Sequence, residues 1–338
     1  MSRTNLRSGS RLPVFLVLLI VLSGTGVLAL CTGATFIPIR EIFSILTSGK
    51  ESPDYTILMH IRMPRIILGF AVGGSLSLAG ALLQGMFRNP LVEPYTLGIS
   101  GGASLGVALN ILFKWYAVIG TIAYPVSGFI GALMVMFFVY GLSVRQQRLG
   151  LRDILLIGVM VSFIASSVVM LLMAISKSED LHGIIFWIMG SLDEPNLTLI
   201  YIAVGVSLGG LLISHLFCLP LNALSLGEEG ARHLGIQVES TRRWLFFLAS
   251  LLTGLSVSVA GIIGFVGLVV PHFMRMVVGP DHRFLLSGSF LAGAAFLILC
   301  DTLARTIISP LELPVGVVTG IIGGIVFVYA LTRKQVVL

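Results

Sequence analysis

The sequence predicts an all-α, polytopic membrane protein with about ten transmembrane helices, folded as a single transmembrane domain over 1–338. Three observations carry that expectation. Of 338 residues, 56% are hydrophobic and only 11% are charged, whereas a soluble domain carries about 25% charged residues. The apolar residues gather into ten runs, most of them near the roughly 20 residues that cross a hydrocarbon core. The 39 glycines and 13 prolines lie within apolar stretches, a composition suited to helices packing backbone against backbone in lipid.

The runs fall in order at 13–34, 64–87, 94–113, 116–143, 153–175, 197–219, 243–261, 263–278, 284–304 and 314–332. The first follows Arg3, Arg7 and Arg11. It is too long for the apolar region of a signal peptide and no cleavage site follows, so it reads as a span. The second and third are rich in small residues and are separated by the polar turn Arg88-Asn89-Pro90-Leu91-Val92-Glu93-Pro94. The seventh and eighth are divided only by Ala260-Gly261-Ile262-Ile263-Gly264. That turn has almost no polar residues, and nine spans stands as the alternative.

Ten spans place both termini on one side. With that side cytoplasmic, the inner loops and ends hold 14 of the 21 lysines and arginines, and the outer ones 9 of the 15 acidic residues. This is the bias that sets membrane orientation. The net charge of +6 is therefore a topology signal, and nucleic acid is not an expected partner. Cys31, Cys218 and Cys300 are far apart in apolar surroundings, which suits three buried small hydrophobes and gives no metal or disulfide pattern.

Two non-spanning segments stand out. Asp180–Leu192 on the outer side is too short to cross, is amphipathic, and carries Trp187; an interfacial helix and a gate both fit it. The inner segment 222–240 predicts a short helix, with Glu228 and Glu229 near its positive N-terminus and Gly235 as its stop. Leu226, Ala231 and Leu234 recur at helical spacing and predict a docking face. Asp301 and Arg305 are placed for an i,i+4 pair near an outer helix end. No phosphate-binding GxxxxGK[ST] loop, HExxH or GxSxG is present. The chain is thus not expected to be an enzyme, and ATP energy would have to come from another subunit.

Several separated motifs carry a family resemblance: RMPR at Arg62–Arg65, AGALLQGMFRNPLVEPYTLGISGGASLG at Ala79–Gly106, LSLGEEGARHLGI at Leu224–Ile236, AGIIGFVGLVVPHFMR at Ala260–Arg275 and ELPVGVVTGIIGGIVFVYAL at Glu312–Leu331. In this order, over nearly the whole chain, they resemble the FecCD-type permeases of ABC importers, the family of the cobalamin, iron-siderophore and haem permeases. The resemblance implies a cobalamin-permease-like fold in the bacterial cytoplasmic (inner) membrane. It implies a homodimer around a central path, two cytoplasmic ABC ATPase subunits, and a periplasmic or lipid-anchored substrate-binding protein. No cofactor is expected on this chain; ATP and Mg²⁺ belong to the ATPase.

The resemblance also assigns residues. Arg62, Arg65 and Arg305 match outer arginines that meet acidic residues of the binding protein; snorkelling at a helix start is the competing reading for Arg62 and Arg65. In the inner segment, Gly227 and Gly235 would set the turns, Glu228 the helix start, and Ala231 and Leu234 the ATPase contact face. Gln84, Asn89 and Leu91 are placed along the path and its inner gate. Leu151 and Arg152 fall at the second gate position, where some relatives carry small hydroxyl residues. Trp187 lies on the short outer helix that shapes the outer gate. The expected cargo is an iron chelate, a ferric siderophore first, then haem or cobalamin, and then an oxyanion. The competing class is an ion- or proton-coupled secondary transporter, which would need ionisable groups near the membrane midplane.

Overall fold

The computed structural model describes residues 12–48, 52–145 and 151–332. The described residues run α1 (Leu12–Cys31), α2 (Ile39–Ser48), α3 (Pro53–Thr56), α4 (Met63–Phe87), α5 (Ile99–Phe113), α6 (Tyr116–Ile119), α7 (Ala123–Arg145) and α8 (Leu151–Ile175). They continue through α9 (Ser178–Met189), α10 (Leu197–His215), α11 (Cys218–Leu224), α12 (Glu228–His233), α13 (Val238–Ala260), α14 (Val266–Val278), α15 (His282–Thr306) and α16 (Val315–Thr332). Among the described residues, seven helices are long and apolar enough to cross a membrane, and three shorter apolar ones, α5, α14 and α16, occupy the remaining predicted runs.

Several boundaries differ from the sequence expectation, each for a local reason. The second span begins eleven residues early, because Ser52 caps α3 (Tyr55 N donates to Ser52 Oγ, 3.1 Å) with Pro53 in the first turn. A π-helical stretch, Ile57–Arg62, then joins α3 to α4. The third span begins late, because Pro94–Leu97 forms a 3₁₀ turn and Gly98, at φ 86°, starts α5 only afterwards. The fourth is delayed to Ala123 by Gly120. The outer helix α2 was not anticipated, although Ile37, Ile42 and the partly buried Ile45 of its segment pack inward with Leu58.

At the centre lies α4, buried almost continuously from Leu68 to Phe87 and packed against α10, α13, α14 and α15. Two glycine pairs bring its backbone onto its neighbours. A Cβ built on Gly73 would lie 2.4 Å from the Gly293 oxygen of α15, and one on Gly80 only 1.8 Å from the Gly267 oxygen of α14. Only glycine permits such approach, and in lipid close backbone packing is a main source of helix association. α5 packs in the same manner against α7 and α8. The outward sides of α1 and α8 are apolar and exposed, with Leu16, Ile20, Phe163 and Met170 among their exposed side chains. Cys31, Cys218 and Cys300 are buried free thiols, as the sequence suggested.

Candidate functional site

Three layers run through the packed core, from the outer ends of α4 and α15 to the inner segment. In the outer layer Arg65 donates to Asp301 from Nη2 (3.0 Å) and Nε (3.3 Å), and to Glu312 from Nη1 (2.8 Å). Arg305 Nε donates to the other oxygen of Asp301 at 3.0 Å, completing the predicted i,i+4 pair. Arg62 donates to the carbonyls of Leu30 and Thr35. All three arginines are buried, at 2%, 5% and 4% exposure for Arg62, Arg65 and Arg305. This corrects the expectation of an exposed docking trio. Each guanidinium already has acceptors inside the chain. Only Glu312, with its side chain 49% exposed, reaches the surface.

The middle layer contains the polar-poor turn between α13 and α14, and its backbone is satisfied from a distance. The Tyr95 hydroxyl donates to Ile263 O and accepts from Ile263 N, both at 3.0 Å. Glu93 Oε1 accepts from Phe265 N at 2.8 Å, and Ser191 N donates to Ala260 O at 2.9 Å. Phe265, at φ 68°, packs over Gly323, halfway along α16, which sets the turn at mid-depth. Non-helical backbone is tolerated there because protein surrounds it and supplies its partners. Gln84 belongs to the same layer. Its Nε2 donates to the carbonyls of Gly267 (3.3 Å) and Leu268 (3.2 Å), and its Oε1 accepts from Arg275 Nη1 at 3.2 Å. At 2% exposure it cross-links α4 to α14 and does not line an open path, a correction to its predicted role.

Asn89 and Leu91 form the inner turn. Arg88 adopts φ 51°, Leu91 N donates to Asn89 Oδ1 at 2.9 Å, and Leu91 is 54% exposed. Leu151 and Arg152 open α8, and their side chains lie outside the described residues. On the outer side Trp187 of α9 borders a cavity of about 220 Å³ with Tyr124, Phe186, Asp193 and Glu194. Burial there pushes the Glu194 carboxyl up from its ordinary value. The Trp187 carbonyl presses on Gly261: a Cβ at that glycine would lie 2.3 Å from it, so α9 abuts the end of α13.

The inner layer is α11, a turn, and α12. Gly227 at φ 107° and Gly235 at φ 80° make the turns as the sequence suggested. Glu228 starts α12 and is the acceptor for Arg242 of α13. That hydrogen bond, more than the opposing burial, holds the Glu228 carboxyl below its ordinary value. Ala231 is wholly buried, packed into the core below α4, so it holds the segment to the domain and is not a partner contact. Leu226 and Leu234 are 71% and 62% exposed, and they form the free apolar surface. A groove of about 360 Å³ between Arg232, Gln237, Glu239 and Arg243 adjoins it. Sequence reading missed Asn222 of α11, which is bonded to the first turn of α15.

The profile described as the FecCD transport family matches residues 17–333. The chain belongs to the FecCD transport family. It is 36% identical over 323 residues to the hemin transport system permease protein HmuU of Yersinia pestis, covering 95% of each chain. It is 40% identical over 291 residues to the cobalamin import system permease protein BtuC of Halobacterium salinarum, covering 86% of this chain and 77% of that protein. A chain of a solved metal-chelate type ABC transporter, in an inward-facing conformation, superposes with a TM-score of 0.84 at 31% identity, covering 95% of this chain and 98% of the other. The all-helical, polytopic permease fold read from the sequence is therefore the fold of this FecCD member, and the chain is a multi-pass membrane permease.

Proposed function

We propose that this FecCD chain is the translocation subunit of a binding-protein-dependent importer that carries an iron chelate into the cytoplasm. The observation that carries the reading is the inner segment: a short helix between two positive-φ glycines, anchored by Ala231 and Glu228, with Leu226 and Leu234 left exposed. In a family of transport permeases, such an anchored apolar surface fits a groove of a cytoplasmic ATPase. The chain works as a homodimer with two ATPase subunits. Exposed apolar ridges on α8 and α16, including Phe163, Met170, Ile321 and Ile325, are suited to a second copy across the path and to lipid elsewhere. ATP and Mg²⁺ reside on the ATPase, and this chain contributes no catalytic residue.

The cargo order is a ferric siderophore, then haem or cobalamin. The broader class of iron chelate, haem or cobalamin is supported by a relative named for hemin, another named for cobalamin and a structural neighbour named for metal chelates. The membrane is the bacterial inner membrane, with both termini cytoplasmic, in keeping with the lysine and arginine bias. A binding protein delivers cargo from outside. Arg65 is the target of its docking carboxylate, which takes the place of Glu312, the one half-exposed member of the outer cluster.

The test is affinity purification of the tagged chain from its native membrane, followed by identification of the ligand held by the binding protein that accompanies it. A ferric chelate on that protein and an ABC ATPase in the same complex are expected. A chain that purifies with neither contradicts the proposal.

A further inference from the structure

Side-chain hydrogen bonds join the inner segment to two of the long helices, α13 and α15. Through Glu228 it is paired to Arg242 of α13. The other junction involves Asn222 of α11. Asn222 Nδ2 donates to Asp281 Oδ1 at 2.8 Å, while Asn222 Oδ1 accepts from His282 N at 3.0 Å and lies 2.7 Å from His282 Nδ1. With the amide held in that orientation, Nδ1 of His282 is the donor. Asp281 also caps α15, accepting from Arg283 N at 3.1 Å. One side chain of the inner segment thus grips the backbone, the ring and the cap of the first turn of α15.

The grip extends to α4. A Cβ at Gly85 would lie 2.6 Å from His282 Nε2 and 3.0 Å from Leu221 Cδ2, so the inner end of α4 is wedged between α15 and α11. α15 runs 25 residues, about 37 Å at the helical rise, and carries Asp301 and Arg305 near its far end. At that end it is clamped to α4 again through Arg65. Between the clamps the two backbones touch at Gly73 and Gly293. A pair of helices fixed at both ends and pressed together midway moves as one body.

We propose that Asn222 is the pin through which displacement of the inner segment reaches the outer end of the α4–α15 pair, a positioning residue for the transport cycle. The inference rests on the reading of α11–α12 as the ATPase seat. Asn222 acts through α15, and the exposed leucines make the seat itself. Without the Asn222 bonds, ATPase motion is dissipated in the 225–227 turn and drives α13 alone. The outer cluster then stays where it is.

The experiment uses the assembled permease–ATPase complex in nanodiscs. Spin labels at Lys177→Cys and Ile308→Cys, diluted with unlabelled chain, report the outer-face distance before and after trapping with ATP and vanadate. Asn222→Leu removes all three bonds at similar volume, and Asn222→Ser is too short to make them. Both are expected to retain the ATPase and to hydrolyse ATP within about twofold of the parent. The trapped distance change falls at least about fivefold. The exchange Asn222→Asp with Asp281→Asn keeps both bonds to His282 and re-forms the 222–281 bond with its direction reversed, giving up only the Arg283 cap, and it restores the change, a rescue that general destabilisation would not give. A full distance change in Asn222→Leu overturns the inference, as does loss of the ATPase from both single variants or failure of the exchange to restore movement. If the unsubstituted chain holds no ATPase, the seat reading itself fails, an outcome distinct from these.

Discussion

The Tyr95 hydroxyl completes both backbone bonds of Ile263, donating to its carbonyl and accepting from its amide at 3.0 Å each. With Glu93 on Phe265 N, it supplies partners for the Ile263 and Phe265 peptide groups where the chain interrupts helix at mid-depth. Two short helices, α5 and α14, follow these paired segments. Polar backbone is thereby concentrated within the core that joins the outer cluster to the inner seat.

Replacing Tyr95 with Phe keeps the ring and removes both bonds. Two buried peptide groups without partners cost about 2–4 kcal/mol, read as a fall of several degrees in the unfolding midpoint of the detergent-purified chain. Tyr201→Phe is the comparison, since Tyr201 is 65% exposed on α10 and is expected to leave the midpoint unchanged. Equal midpoints for the two variants would refute the account of the turn.

The α4 contacts predict a sharp contrast among glycines. Gly80→Ala places a Cβ on the Gly267 carbonyl and must move backbone against backbone, at a cost of about 1–3 kcal/mol. Gly205→Ala, with nothing within 4 Å of the new atom, is expected to be neutral or to stabilise by about 0.5 kcal/mol. Thermal unfolding of the two variants side by side checks this.

In the outer cluster the two carboxylates should separate cleanly. Asp301→Asn leaves Arg65 and Arg305 buried without their shared counter-charge, at about 3–5 kcal/mol. Glu312→Gln removes a half-exposed partner, and its effect on stability stays below about 1 kcal/mol. If Arg65 receives the binding protein, Glu312→Gln also tightens its docking severalfold, as measured by surface-immobilised permease in nanodiscs. Unchanged docking would remove Arg65 from that role.

Glu228 gives the seat a pH dependence of known sign. Its folded value lies below the ordinary 4.5, so its stabilisation is present above that value and lost as pH falls through the lowered one. The carboxylate side chain is 40% exposed, which screens the pair and holds the contribution to about 0.5 kcal/mol. Glu228→Gln is expected to weaken ATPase retention slightly at pH 7 and to lose its difference from the parent only as pH falls below the lowered carboxyl value. A difference that grows on acidification would contradict the pairing with Arg242.

Apolar length located all ten runs, because hydropathy and span length are local properties of a chain. What escaped sequence reading depended on partners far away in it. Tyr95 lies 168 residues from Ile263, so nothing near Gly261 announced how that turn would be satisfied. The direction of Arg65 was equally hidden, since an arginine at a helix start can reach outward or, as here, inward to a carboxylate 236 residues on. Helical spacing grouped Ala231 with Leu234 but could not say which residue the domain would bury. Asn222 carried no motif; its role is visible only once α11 lies against the cap of α15. The i,i+4 pair Asp301–Arg305 and the glycine turns of the inner segment were legible because each is set within a few residues.

The most direct test is uptake into proteoliposomes containing this chain, with and without its ATPase, using the binding protein loaded with a ⁵⁵Fe-labelled ferric siderophore outside and ATP within. The account predicts accumulation only when ATPase and hydrolysable ATP are both present, and none with a non-hydrolysable analogue. Accumulation by the chain alone, driven by an imposed proton or sodium gradient, would contradict it.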